Sequence, residues 1–289
     1  MKKLLTHLNP DLDAITSCWL IKRFLPGWAG AEVAFVEAKD TPEAQRVDRE
    51  ILFVDVGGGP LDHHRINDQT TCAAHKCWLF ITQKRRGAAL DLLTDGAVTQ
   101  LVEVVRQIDN AQDLNWAEKS EPRETFYLHQ LIGGLKGHAE NDHQVIEFGF
   151  RALDAILLSL KNIFHAKEEL ATKAVFFTSP WGQAAAAETG NEQFLWEAEK
   201  QGFLLAIRKN LKDGSVRMAA RPDSSVDLAP VMAALQRADP ASGWYLHPSG
   251  KLLLNQSSLN PNLYPTTLSL GQIISIIRKI QRSNTQKPK

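Results

Sequence analysis

The stretch Lys2–Thr6 carries a short apolar run and predicts a buried strand. Asp11–Phe24 follows with Ile15, Cys18, Trp19 and Ile21 on one side, which predicts a helix that Pro26-Gly27 ends. Ala31–Val36 and Ile51–Val56 read as two further strands, with a helix expected around Glu43–Arg49 and a weaker strand at Trp78–Ile81. Strands that alternate with helical patterns predict a parallel sheet with helices on both faces. Val98, Leu101, Val102 and Val105 recur at helical spacing within Ala97–Ile108, and residues 124–135 and 143–172 read as helical too.

The pattern changes near residue 170. Phe203–Asn210 and Ser215–Ala220 flank Asp213-Gly214, a hairpin signal. Leu228–Ala238 predicts a helix. Trp244–His247 and Lys251–Leu254 flank the turn Pro248-Ser249-Gly250, and Leu268–Ile280 predicts a closing helix. The expected fold class is α/β: an N-terminal parallel sheet flanked by helices, a helical connector, and a smaller C-terminal α+β domain. The expected domains are 1–168 and 169–289, and the tail Arg282–Lys289 is expected to fray.

Composition adds limits. The chain has 289 residues, 44% of them hydrophobic, enough for one large or two ordinary cores. The apolar runs are too short to span a membrane, and Asn9, Asp11 and Asp13 interrupt the start before a signal-peptide core develops. Three cysteines do not suggest a disulfide framework, and a cytoplasmic location is expected. Net charge is zero, yet residues 1–165 carry a net −5 and residues 166–289 a net +5. An acidic half suits cations, and a basic half suits phosphate or another anion.

In doubly wound sheets, ligands bind beyond the carboxyl ends of the strands. His7, Asp11 and Asp13 follow the first strand, and Asp55 lies at the end of another. Asp62-His63-His64 follows seven residues later, and Asp109 closes a helix. Acids and imidazoles converging at one sheet edge would repel without cations. Mixed His and Asp ligation suits Mn²⁺, and less exclusively Zn²⁺, Fe²⁺ or Co²⁺.

These segments resemble a known family. His-Leu-Asn-Pro-Asp-Leu-Asp (7–13), Val-Asp (54–55), Asp-His-His (62–64) and Ile-Asp-Asn (108–110) resemble the four motifs of the DHH phosphoesterase superfamily, which includes RecJ nucleases and manganese pyrophosphatases. Val-Asp-Val-Gly-Gly ahead of Asp-His-His, and the distal His247-Pro248-Ser249-Gly250, resemble the Myg-type (melanocyte proliferating gene) nucleases more narrowly. The first motif and the short link between the glycines and Asp-His-His depart from that narrower pattern.

The superfamily resemblance implies two divalent ions. His7, Asp11 and Asp55 would hold one; Asp13, Asp55, His63 and Asp109 would hold the other, with Asp55 bridging. His64 would face the substrate phosphate, so His64 and Asp55 are the expected catalytic residues. Two cations roughly 3.5–4 Å apart activate a water and stabilise the oxygens of an in-line displacement at phosphorus. Mn²⁺ is the expected cofactor, with Mg²⁺, Co²⁺ or Zn²⁺ as alternatives. In the C-terminal unit, His247, Ser249 and Gly250 are expected at the substrate, as are Arg217 and Arg221, read as in phase on one strand. Guanidinium forks suit phosphate.

Other signals read more plainly. Gly57-Gly58-Gly59 lacks the G-x-G-x-x-G pattern and reads as permissive backbone. Cys72, His75 and Cys77 have metal-like spacing but no fourth ligand nearby, and buried thiols are the default. Lys84-Arg85-Arg86 reads as a solvated face, and His129, His138 and His143 as structural or exposed.

The expected activity is therefore that of a metal-dependent phosphodiester hydrolase, exonuclease-like, acting on short RNA or DNA oligonucleotides or nucleotides. Zero net charge argues against tight hold on long nucleic acid. Closure of the second domain is expected to exclude water. The alternatives are a pyrophosphatase or mononucleotide phosphatase on the same scaffold, or a non-catalytic metal-dependent nucleotide sensor. No membrane partner is expected; oligomeric state, including a homodimer, stays open.

Overall fold

Strand β1 (Lys3–His7) is the middle of a three-stranded parallel sheet, between β2 (Glu32–Val36) and β3 (Ile51–Phe53). The computed structural model describes residues 1–39, 44, 49–65, 68–85, 90–116, 122–256 and 263–280. The helix expected around Glu43–Arg49, the tail Arg282–Lys289 and Arg86 lie largely or wholly outside them. The described residues form two compact units, Met1–Lys161 and Asn162–Lys289.

In the first unit, α1 (Leu12–Phe24) follows β1, and Asp11 caps it by accepting the N–H of Ala14 at 3.0 Å. The helix is buried almost all round, including Asp13, Thr16 and Ser17. Such burial marks a central helix rather than a surface one. It packs against α2 (Ala73–Lys84) and α3 (Leu92–Asp109). Pro26 and Gly27, the latter at φ +77, follow its end.

Helix α2 replaces the strand expected at Trp78–Ile81. Its buried residues Ala73, Ala74, Cys77, Trp78 and Ile81 recur at helical spacing, while Leu79 is 47% exposed. A four-residue apolar run cannot separate the two states by itself. Helix α3 starts at Leu92, earlier than expected, because Asp91 caps it through the N–H of Thr94. Two short 3-10 turns, α4 (Leu128–Lys136) and the 31-residue α5 (Asp142–Thr172) form the expected helical block. The division between units falls within α5.

The second unit is a six-stranded sheet in the order β4-β5-β6-β7-β9-β8. β4 (Val175–Ser179) and β5 (Gly182–Glu188) form a hairpin; α6 (Gln193–Lys200) crosses from β5 to the parallel β6 (Leu205–Lys209). These first two strands and α6 went unmarked in the sequence. The run Ala184–Ala187 carries high helix propensity, but each alanine is buried within the sheet, so tertiary packing overrides it. The expected hairpins are present as β6 with β7 (Val216–Ala220) and β8 (Trp244–Leu246) with β9 (Leu252–Asn255). Helices α7 (Ala229–Ala238) and α8 (Leu270–Arg278) contribute Val231, Leu235, Ile273 and Ile277 to one core, with Leu205, Ile207, Met218 and Leu253 of the sheet. A smaller core joins Leu170, Phe194 and Leu195 to Ala185, Ala187 and Ala206.

Candidate metal centre

The site grows from the carboxyl ends of β1 and β3. His7 is the last residue of β1, and Asn9 turns the chain at φ +53. The N–H of Asn9 donates to Asp142 at 3.0 Å, and Lys136 donates to the Asn9 carbonyl at 2.8 Å, so the helical block pins this loop. Asp11 caps α1, and Asp13 lies in its first turn. Both oxygens of Asp13 accept backbone N–H bonds from the start of α2, Ala73 at 2.7 Å and Ala74 at 2.8 Å. The helix dipole favours a carboxylate there.

Asp55 follows β3 in a left-handed conformation, φ +55. Non-glycine residues adopt this region rarely, and such strain persists only where surroundings enforce it. Here Val54 donates to the Leu5 carbonyl at 2.9 Å and Asp55 to that of Leu61 at 3.0 Å, fixing the turn. The three glycines then allow a sharp return. Gly57 and Gly58 have φ +87 and +73, and a Cβ on Gly59 would run into the carbonyl oxygen of Ala44. The N–H of Gly58 donates to Asp62 at 2.7 Å, so that amide serves the loop itself. Asp62 also accepts from the N–H of His64 at 3.0 Å and meets its Nδ1 at 2.7 Å.

Seven side chains converge. His7 Nε2 lies 3.4 Å from Asp55 Oδ2 and 3.9 Å from Asp11 Oδ1. His63 Nε2 lies 3.6 Å from Asp13 Oδ2, 3.6 Å from Asp55 Oδ1 and 3.5 Å from Asp109 Oδ2. His64 Nδ1 lies 3.5 Å from Asp55 Oδ1. The donor atoms of His7, Asp11 and Asp55 lie within 4.8 Å of one another, as do those of Asp13, His63 and Asp109, and those of Asp55, His63 and His64. Beside them opens a cavity of about 360 Å³ that His7, Asp11, Asp55, Asp62 and His64 line.

The electrostatics are those of carboxyl groups buried close together. Burial, then repulsion from Asp13, Asp11, Asp109 and Asp62, pushes the Asp55 carboxyl well above the carboxylate range. Burial pushes Asp13 up to about 6 against its amide hydrogen bonds, and burial with the Asp13 and Asp11 charges pushes Asp109 up to about 7. Burial also lowers the imidazole of His63, with His64 adding to it, which favours a neutral ring able to ligate. Asp62 differs: burial raises it, but the bonds from His64 and Gly58 outweigh that and hold it low. Asp55 Oδ1 and Asp109 Oδ2 are buried with no hydrogen-bond partner among the described residues. Orphaned carboxylate oxygens facing neutral imidazole nitrogens fit divalent cations of the Mn²⁺, Mg²⁺ or Zn²⁺ kind.

Three lining features escaped the sequence reading: Ala38 and Lys39 beyond β2, and Asp62 as the partner of His64. The sheet-edge argument that selected the ends of β1 and β3 applies equally to β2 and marks Lys39. Cys72 and Cys77 belong to no group of three metal-donor residues among those described, and burial pushes both thiols up. His129 pairs with Asp113 at 3.6 Å, and His143 packs edge-on against Phe35.

The C-terminal candidates all lie in the second unit. Arg217, on β7, donates to Glu192 Oε2 at 2.5 Å. Arg221 lies just past β7 rather than in phase on it, and pairs in a two-point contact with Asp223 at 3.0 and 2.6 Å. His247 Nδ1 meets Ser249 Oγ at 2.8 Å and accepts the Ser249 N–H at 3.2 Å. Gly250, at φ +68, closes the turn on the His247 carbonyl.

No described helix is long and apolar enough to cross a membrane. Among curated proteins, none matches this chain. Several solved structures are similar to it at low identity. RecJ from Thermus thermophilus in complex with Mg²⁺ is 11% identical, covering 96% of this chain and 49% of its own, with a TM-score of 0.28. The DHH domain of a protein assigned to a family of ribosomal proteins is 11% identical, covering 97% and 87%, with a TM-score of 0.32. An uncharacterized Helicobacter pylori protein is 11% identical, covering 97% and 99%, with a TM-score of 0.26. TM-scores this low do not establish a common fold, and the DHH resemblance rests on the motifs and the geometry around Asp55. The family model described as "ChrB, C-terminal domain" matches residues 5–160, more than half of the chain and nearly all of the unit that holds this site; the chain belongs to that family.

Proposed function

We propose that this chain is a DHH-type phosphodiester hydrolase that uses two divalent ions, Mn²⁺ first among them, on short oligonucleotides or nucleotides. The observation that carries the reading is the set of overlapping donor groups joined through Asp55 and His63. His7, Asp11 and Asp55 would hold one ion, and Asp13, Asp55, His63 and Asp109 the other. When bound, the ions would supply charge stabilisation at phosphorus and a more acidic water.

The remaining work falls to the chain itself. Asp55 presents one oxygen to each half of the site, held there by its left-handed turn. The α2 amides keep Asp13 in place. Asp62 orients His64, 59% exposed in its side chain, beside the cavity, where its ring meets the substrate phosphate. His247 and Ser249 contribute turn-borne polar groups to the substrate; Gly250 makes that turn. Arg217 and Arg221 contribute guanidinium groups once released from Glu192 and Asp223.

An assay with Mn²⁺ on end-labelled RNA and DNA oligomers, dinucleotides, mononucleotides and pyrophosphate tests the reading. Release of mononucleotides from the oligomers is expected. Turnover of pyrophosphate alone would point to the pyrophosphatase, and saturable nucleotide binding with no turnover would point to a sensor.

A further inference from the structure

The second unit holds a cationic cluster of its own. Arg208 on β6 and Arg217 on β7 stand directly opposite in the antiparallel register. Like charges so placed repel. Both converge on Glu192, Arg208 through Nη2 on Oε1 and Arg217 through Nη1 on Oε2. One carboxylate thus serves both guanidinium groups; the Arg208 charge also reaches Asp213, whose oxygens accept from Asn210 and the Ser215 N–H instead.

Arg208 is only 7% exposed, and its Nε and Nη1 have no hydrogen-bond partner among the described residues. Buried donors without acceptors are costly, more so on a charged group. Glu192, by contrast, has a side chain 44% exposed and lines a cavity of about 700 Å³ with Asn191, Gln193, Asn210 and Lys212. Two other acids line it. Glu169 is engaged by Thr189 Oγ1 at 3.0 Å and His165 at 3.6 Å, and Glu188 ends β5.

We infer that Arg208 and Arg217 form a phosphate-binding site in which Glu192 is a resident carboxylate that an incoming phosphate displaces. A phosphate group carries close to two negative charges near neutral pH, matching two guanidinium groups where a carboxylate matches one. Its oxygens also accept paired N–H bonds from the planar forks. The exposed Glu192 can swing into the cavity while the buried Arg208 stays. The site extends the proposed substrate role of Arg217 but needs no metal.

Titration calorimetry of the full chain in EDTA, with inorganic phosphate and separately with a nucleoside monophosphate, tests this. Saturable phosphate binding is expected, strengthened about tenfold in Glu192→Gln and weakened at least about tenfold in Arg208→Lys and Arg217→Gln. Tighter binding of the nucleotide identifies a nucleotide phosphate as the ligand; equal binding identifies the phosphate group alone. Arg217 is partly exposed, so Arg217→Gln carries the test if circular dichroism shows that Arg208→Lys does not fold. Absence of saturable binding in both wild type and Glu192→Gln, or unchanged binding in Arg217→Gln, overturns the inference. Mn²⁺ content measured on the same preparations reads the first unit separately, so either reading can fail alone.

Discussion

Asp55 Oδ1 lies 3.6 Å from His63 Nε2, buried and without a hydrogen-bond partner among the described residues. An acid in that position is stabilised by a cation or by a proton. Asp55→Ala is therefore expected to abolish hydrolysis and to lose the second ion of each chain, while the metal-free variant unfolds at a higher temperature than metal-free wild type. Elemental analysis and calorimetric melting check both. Near-normal rates in Asp55→Ala would remove the shared role of this carboxylate.

The raised carboxyls give a pH dependence with a definite sign. In the folded, metal-free chain Asp13 titrates at about 6 and Asp109 at about 7, above the ordinary value near 4. Between those values the folded chain binds more protons than the unfolded one, so stability falls as pH rises. Urea unfolding in EDTA is expected to show a loss of several kcal/mol from these groups between about pH 4 and 8, levelling above. Adding Mn²⁺ at pH 8 is expected to restore it. A metal-free chain that gains stability over that window contradicts the assignment.

His64 is oriented by Asp62 and is half exposed, so it serves substrate more than fold. His64→Ala is expected to lower kcat by about 10²-fold or more while Mn²⁺ content stays near wild type. Asp62→Asn is expected to lower kcat less, because it frees the His64 ring without removing it. Steady-state kinetics with elemental analysis separates this from simple loss of metal.

Gly59 has no room for a side chain beside the Ala44 carbonyl. Gly59→Ala is expected to cost about 1–3 kcal/mol and to displace the loop that carries Asp62, His63 and His64. Denaturant unfolding and Mn²⁺ titration check the pair of effects. Gly30→Ala, where no described residue would lie within 4 Å of the added Cβ, is the control.

Much of this site was legible because its residues sit at ends of elements. His7 closes β1, Asp55 follows β3 and Asp109 ends α3, so strand and helix boundaries alone brought them to one edge. What supports them was not legible. The α2 amides that hold Asp13 belong to a segment whose apolar run Trp78–Ile81 resembles a strand. The left-handed turn at Asp55 depends on backbone bonds to Leu5 and Leu61, which are set only by the assembled sheet. Arg208 was hidden for a similar reason: β6 is a run of buried positions, and its partner Arg217 is defined by register rather than by sequence distance.

The central claim is that two ions share Asp55, and electron paramagnetic resonance of the Mn²⁺-loaded chain tests it most directly. Two Mn²⁺ per chain with a spin-coupled spectrum, collapsing to an isolated-ion signal in Asp55→Ala, is the predicted result. One ion per chain, or two ions with uncoupled spectra in the wild type, would contradict it.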